Sequence, residues 1–262
     1  MRHIDEYRKN MILVLSGTEE GKEIVRRLHE EGLSLLTTVA TEYGKKMFEQ
    51  LGLEAVCLQG RLDTNGFSRL IKERGVGTVI DATHPYAIEV SQNAMDACKK
   101  TNVRYLRFER EVITIPAHSL IHKVKTMADA VDKSRMLGKK IFLTTGISSV
   151  ARFIVLKGEK ELYVRILPIP EHIALCFDMG IPPTNIIAMH GPFSEDLNRA
   201  MFRQYHINTM VTKDSGEAGG VLEKINAARN EGIDTVVIER PRIEFPQKYS
   251  TIDEVVGAVK IQ

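Results

Sequence analysis

The densest run of chemically capable side chains is IDATHPYA (80–87), where Asp81, Thr83, His84 and Tyr86 stand within one short stretch. Each of these groups needs a partner if buried. The run therefore reads as a ligand-contacting loop, although a satisfied structural turn would use the same residues. Thr83 is placed to cap a following helix, and Pro85 to fit that helix's first turn. A second run, VTKDSG (211–216), sets Lys213 beside Asp214, Ser215 and Gly216, with Gly219 and Gly220 just beyond. A lysine there can pair with an anion and, if desolvated, donate a proton. The plainer alternative is a surface lysine paired with Asp214. SGTEEG (16–21) offers Gly17 for a tight turn and Gly21 for close backbone approach. Free N–H groups at a helix start attract phosphate or carboxylate. An ordinary turn capped by Thr18, with Glu19 and Glu20 favoured by the helix dipole, accounts for the same residues. TTG (144–146), followed by Ser148 and Ser149, repeats that geometry, and HGPFS (190–194) places Gly191 and Pro192 after another apolar run.

Other chemistries find no support. The histidines, among them His84, His172 and His190, show no HExxH or HxH spacing, so no protein-held metal is expected. Neither GxSxG nor a Cys–His pairing marks a covalent nucleophile. Cys57, Cys98 and Cys176 are scattered and form no CxxC, which speaks against a disulfide framework or zinc site and for a reducing cytoplasm. Lys plus Arg number 36 against 34 Asp plus Glu, a formal net charge of +2. No overall field therefore points to nucleic acid or a membrane surface. No apolar run approaches the roughly 20 residues of a membrane span. The polar start MRHIDEYRKN (1–10) reads as a short leader rather than a secretory signal.

These motifs need elements to hold them. Short β-branched runs alternate with amphipathic helical stretches along the whole chain. In the first half the expected strands are MILVLSG (11–17), SLLTTVAT (34–41), AVCLQG (55–60), TVIDAT (78–83) and RYLRFE (104–109). In the second they are KIFLTTG (140–146), LYVRILP (162–168), IIAMHG (186–191), TMVTKD (209–214) and TVVIER (235–240). Strands alternating with helices signal βαβ units on a parallel sheet. The halves also match in register: Gly60 and Gly191 each end a third strand, and Thr78 and Thr209 each begin a fourth. Helix-like stretches 126–137 and 251–262 follow the two fifth strands. The expectation is an α/β protein of two tandem Rossmann-like domains, 11–112 and 113–262, with mainly parallel sheets and an inter-domain cleft. A C-terminal strand or helix packed on the opposite domain stays open. In open α/β sheets ligands bind beyond the carboxyl ends of the strands, where all the motifs above fall.

The second strand ends in TTVATEYGKK (37–46). A dinucleotide fold that prefers NAD usually carries an acid there. Thr37, Thr38 and Thr41, with Lys45 and Lys46 behind, suit a 2′-phosphate instead, hence NADP rather than NAD. Threonines as good strand formers and lysines on a solvated helix face would look the same.

Taken together, GTEEG, VATEYG, GRLD (60–63), DATHPYA with NA (93–94) and AC (97–98), YLRFER, LTTG, HGPFS, VTKDSG and IERP resemble the precorrin-6A reductase family of cobalamin biosynthesis. The series runs from Met11 to about Pro241. The resemblance implies two Rossmann-like domains and NADPH-dependent reduction of one double bond of the precorrin-6A macrocycle, a corrinoid polycarboxylate, with the cobalt-precorrin-6A form favoured. By analogy Gly17, Thr18, Glu19, Gly21, Thr38, Ala40, Thr41, Asp81, Ala82, Thr83, His84 and Pro85 bind the cofactor. Tyr86, Thr144, Thr145, Gly146, Gly191, Pro192, Lys213, Ser215 and Gly216 face the substrate. Lys213, with His84 or water next, is the candidate for proton delivery. Two competing readings are a non-redox tetrapyrrole enzyme of uroporphyrinogen-III synthase type and a non-catalytic hinge-bending binding protein.

Overall fold

The computed structural model of the chain describes residues 11–53, 56–216 and 219–260. The expected leader, Ala55 of the third strand and the last two residues lie outside them.

The chain divides into two compact units, one of Met1–Glu111 with Arg242–Gln262, the other of Val112–Pro241. In the first, β1 (Met11–Ser16), β2 (Leu35–Val39), β3 (Cys57–Gln59), β4 (Val76–Ala82), β5 (Arg104–Phe108) and β12 (Lys248–Tyr249) form one sheet of order β12-β5-β4-β1-β2-β3. In the second, β6 (Ile121–Val124), β7 (Lys140–Leu143), β8 (Glu161–Ile166), β9 (Ile186–Ala188), β10 (Thr209–Lys213) and β11 (Asp234–Ile238) follow the order β6-β11-β10-β7-β8-β9. Neighbouring strands are parallel in both sheets. The helices are α1 (Glu19–Glu30), α2 (Glu42–Glu49), α3 (Thr64–Arg74), α4 (Ile88–Thr101), α5 (Met127–Met136), α6 (Ile147–Phe153), α7 (Pro170–Asp178), α8 (Glu195–Gln204), α9 (Val221–Asn230) and α10 (Ile252–Lys260). The Rossmann-like α/β class expected from the alternation is the observed one.

Burial on both faces explains the near-continuous apolar strands. Successive residues of β1 alternate sides. Val14 packs with Ile80 and Leu106 under Ile24, Val25 and Leu28 of α1. Leu13 and Leu15 pack instead with Phe67 and Ile71 of α3 and with Ala94, Ala97 and Cys98 of α4. Each such side chain contributes about 1.5–3 kcal/mol by leaving water.

Two expectations need correction. Among the described residues each sheet has six strands, not five. The segment 242–262, assigned to the second domain, belongs to the first unit. There Arg107 N–H donates to Gln247 O (2.8 Å) and Glu109 N–H to Tyr249 O (2.9 Å), stitching β12 to β5. Val255, Val256, Ala258 and Val259 of α10 join the core beside α1. The first half's own continuation, β6 and α5, reciprocally joins the second sheet, where β6 pairs with β11. Each five-strand run thus sends its last strand–helix unit to the other sheet. Two-residue β12 and partly exposed β6 (IHKV) show no apolar alternation, so their strand character comes only from main-chain pairing.

The strand orders fix where loops can meet a ligand. Chain direction across the first sheet reverses between β1 and β4, and across the second between β7 and β10. A crevice opens beyond the carboxyl ends at such switch points. The loops there are GTEEG and DATHP in one unit, TTG and KDSG in the other.

Candidate functional site

At the first switch point β1 runs directly into α1. Thr18 is the N-cap; its hydroxyl accepts from Gly21 N–H (3.1 Å) and donates to Ala82 O (3.1 Å). One side chain therefore ties the β1 turn to the end of β4. A Cβ on Gly21 would lie 2.7 Å from Ser16 Oγ and 3.3 Å from Ala82 O, so only glycine lets the helix approach this closely. The Ser16 hydroxyl is buried with no hydrogen-bond partner. Glu20 pairs with Arg110. Burial pulls the Glu20 carboxyl up, but the hydrogen bond from Arg110, its own backbone N–H and the guanidinium charge together hold it below its ordinary value. Arg110 neutralises an acid that would otherwise repel an anion at this helix start.

In DATHP, Asp81 is fully buried. Its Oδ1 accepts from Thr83 N–H (2.9 Å), Thr83 Oγ1 (2.6 Å) and Arg107 Nη1 (2.8 Å). Its Oδ2 accepts from Ser91 Oγ (2.6 Å) and Tyr105 OH (2.6 Å). With every lone pair engaged and no surface exposed, the Asp81 side chain is not placed to touch a cofactor. It fixes the loop from behind, which corrects its expected role. Burial raises the Tyr105 phenol well above its ordinary value, and the Asp81 charge and hydrogen bond add to that. The expected helix start also shifts. Thr83 serves Asp81 rather than capping, α4 begins at Ile88 without a side-chain cap, and Pro85 precedes the helix. His84 and Tyr86 remain partly exposed, their rings 5.5 Å apart. His84 Nδ1 accepts from Tyr86 N–H at 3.3 Å.

The β2 end is less committed to a ligand than its threonines promised. Thr37 Oγ1 donates to Val14 O (2.9 Å) inside the sheet. Thr41 caps α2 by accepting from Gly44 N–H (3.1 Å), and Lys46 pairs with Glu42 (3.1 Å). Thr38 is buried, whereas Ala40 is exposed.

In the second unit Thr144 N–H and Oγ1 both donate to Val211 O at 2.9 Å, fastening TTG to β10. Thr145 is buried with Oγ1 unpartnered, and Gly146 takes a positive φ of 82° to start α6. Gly191 and Pro192 are joined by a cis peptide bond. Lys213 ends β10 half-buried, and burial pushes its ammonium below its ordinary value. Arg240 Nε donates to Asp214 O (3.0 Å), and Asp214 Oδ1 is buried without a hydrogen bond. Ser215 is buried, and Gly216 has a φ of 78°. Among the described residues no group of three or more His, Cys, Asp or Glu could hold a metal.

Sequence reasoning missed Arg107, Tyr105, Ser91 and Arg110, which support the named loops. Register carried the signal for one of them. Arg107 sits opposite Asp81 across β4 and β5, at an inward position where an unpaired charge would be untenable.

The fold and its loops define a duplicated Rossmann-like α/β protein with its chemistry at the carboxyl ends of parallel strands. The chain belongs to the precorrin-6x reductase CbiJ/CobK family, whose model matches residues 11–260. It is 35% identical over 246 residues to a cobalt-precorrin-6A reductase of Methanocaldococcus jannaschii, covering 94% of this chain and 96% of that one. A cobalt-precorrin-6A reductase of Priestia megaterium is 34% identical over 252 residues, covering 95% and 98%. A solved CobK precorrin-6A reductase superposes with a TM-score of 0.76 at 26% identity, covering 95% and 96%. The family is one of oxidoreductases acting on a carbon–carbon double bond, which implies a nicotinamide cofactor and decides against the non-redox and non-catalytic alternatives.

Proposed function

We propose that this chain uses NADPH to reduce one double bond of cobalt-precorrin-6A in cobalamin biosynthesis. Both relatives described above carry the cobalt-containing substrate in their names. The observation that carries the reading is the junction at the first switch point, where Thr18 joins the GTEEG turn to Ala82 of the DATHP strand. Its residues fit a dinucleotide: Ser16 Oγ is an orphaned buried hydroxyl, Gly21 is held bare of a Cβ, and Glu20 is neutralised by Arg110. Gly17, Thr18, Glu19, Gly21, Thr38, Ala40, Thr41, Ala82, Thr83, His84 and Pro85 form that nucleotide surface, with Asp81 acting behind it. Bound NADPH supplies hydride. The protein's work is to orient reactants, which removes much of the entropic barrier.

Tyr86, Thr144, Thr145, Gly146, Gly191, Pro192, Ser215 and Gly216 face the macrocycle. Lys213 delivers the proton that accompanies hydride transfer, helped by partial burial that weakens its hold on that proton. The buried, unpaired cysteines fit a cytoplasmic enzyme, and no helix among the described residues is long and apolar enough to cross a membrane.

The test is direct. Purified protein is mixed with NADPH or NADH and with cobalt-precorrin-6A or its metal-free form. The expected result is loss of reduced-nicotinamide absorbance, fastest with NADPH and the cobalt form. No loss with either macrocycle defeats the proposal.

A further inference from the structure

Arg165 lies next to last in β8, and Lys224 lies in the first turn of α9. Arg165 continues the inward row of Tyr163, on the face covered by α8 and α9, where the pattern calls for an apolar residue. Exposure is 7% for Arg165 and 6% for Lys224. The guanidinium donates to Asn198 Oδ1 (2.7 Å), reaches the Met201 sulfur (3.8 Å), and lies 4.0 Å over the Phe193 ring and 5.4 Å from that of Phe142. None of these partners is an acid. No carboxylate forms an ion pair with either cation among the described residues, although the charge of Glu223 reaches Lys224.

Two cations buried together without a counter-ion are costly. Burial pushes Lys224 down to about 7, the charge of Arg165 adds to that, and Glu223 partly offsets it. Burial alone lowers Arg165 to about 10. Perturbation by desolvation together with a specific charge makes such a residue a functional-site candidate. The surroundings agree. Phe193, which covers the guanidinium, belongs to HGPFS, and the same carboxyl edge of the sheet carries an orphaned buried hydroxyl, Thr145 Oγ1. Phe193 O also lies 3.9 Å from the position a Cβ on Gly220 would take, which sets that loop against the start of α9.

We propose that Arg165 and Lys224 form a receptor for one carboxylate of the macrocyclic substrate, which supplies the counter-charge that no described residue provides by ion pairing. The proposal rests on the functional reading above and adds a binding element to it. A carboxylate between a guanidinium and an ammonium gains charge-assisted hydrogen bonds in a low-dielectric setting. The pair would then select for anionic side arms on the ring.

Lys224→Met and Lys224→Arg test it, each checked for folding by thermal melting. In steady-state reduction Lys224→Met should raise the macrocycle KM at least ten-fold, with kcat and the NADPH KM within two-fold of wild type. Lys224→Arg should recover most of the loss. An unchanged macrocycle KM overturns the receptor, as does a rise confined to the NADPH KM, which would place a nucleotide phosphate there. A second measurement needs no turnover. Uroporphyrin, a stable carboxylate-rich tetrapyrrole, is titrated into wild type and Lys224→Met. Binding at least ten-fold weaker in the variant supports the receptor; equal binding, or none by wild type, overturns it. Absence of reduction alongside Lys224-dependent uroporphyrin binding would count against the reductase reading alone.

Discussion

Arg107 Nη1 meets Asp81 Oδ1 at 2.8 Å, both side chains shut off from solvent, on adjacent strands in exact register. The pair is the floor of the DATHP loop, because the same carboxylate also holds Thr83 by its N–H and its hydroxyl. Removing one partner strands the other as a buried charge, which costs about 3–5 kcal/mol. Asp81→Asn should lose about that much in urea unfolding, and Arg107→Met a similar amount. The double variant should lose less than the sum of the two. Additive losses would show that the pair is not coupled.

Gly21 makes the closest helix-to-strand approach of the nucleotide turn. Gly21→Ala drives a methyl to 2.7 Å from Ser16 Oγ and 3.2 Å from Ser16 Cα, and the second contact is backbone that cannot rotate away. Overpacking of this kind costs about 1–3 kcal/mol. Because the shift falls on the orphaned Ser16 hydroxyl, the NADPH KM should rise while the macrocycle KM stays near wild type. Equal rises in both would remove this turn from the nucleotide surface.

Much of this arrangement was legible in the residues and some was not. Apolar strands such as MILVL announce themselves because both faces are buried, so β1, β4 and β10 fall where expected. Lys248–Tyr249 and IHKV carry no such signature, since an edge strand is defined by hydrogen bonds to its neighbour rather than by its own side chains. For that reason the sequence leaves a C-terminal strand or helix on the opposite domain open without deciding for it. The loops were found through their glycines and polar clusters. Inside them, side-chain direction was not. Asp81 looked like a ligand contact because it stands in a dense run of polar residues at a strand end, but Arg107, Tyr105 and Ser91 come from two other elements to claim it.

Thr41, Lys45 and Lys46 are expected to favour NADPH over NADH. Their alanine triple variant should narrow the ratio of kcat/KM values for the two cofactors at least ten-fold. Thr41 also caps α2, and loss of such a cap costs about 1 kcal/mol. Thr41→Ser keeps the cap, so pairing it with Lys45→Ala and Lys46→Ala separates preference from stability. Unaltered preference in both triple variants would assign these residues to the helix alone.

Lys213→Ala should lower kcat about 10²–10⁴-fold, the range of a lost general acid, with little change in melting temperature because the side chain is only half-buried. The pH profile discriminates. If Lys213 donates the proton, wild-type kcat falls as pH rises through its depressed ionisation, and the variant loses that limb. Identical profiles would leave water or His84 as the donor.

Lys224 also makes a prediction about folding alone. Its folded ionisation, at about 7, lies below the ordinary lysine value of 10.5. Between those values the unfolded chain holds a proton that the native protein has released, so stability must rise with pH across that window. Below about 7 both states are charged and the full burial penalty applies; above 10.5 neither is, and it vanishes. Arg165, pushed down to about 10 by burial, begins to lose its charge only at the top of that window, where its own slope has the same sign. Wild type should therefore gain stability from pH 7 to pH 10 relative to Lys224→Met, which should be the more stable protein at pH 6. Unfolding free energies from urea titration at each pH give the comparison. Parallel curves for the two proteins would mean that Lys224 keeps an ordinary ionisation and is not held as an uncompensated buried cation.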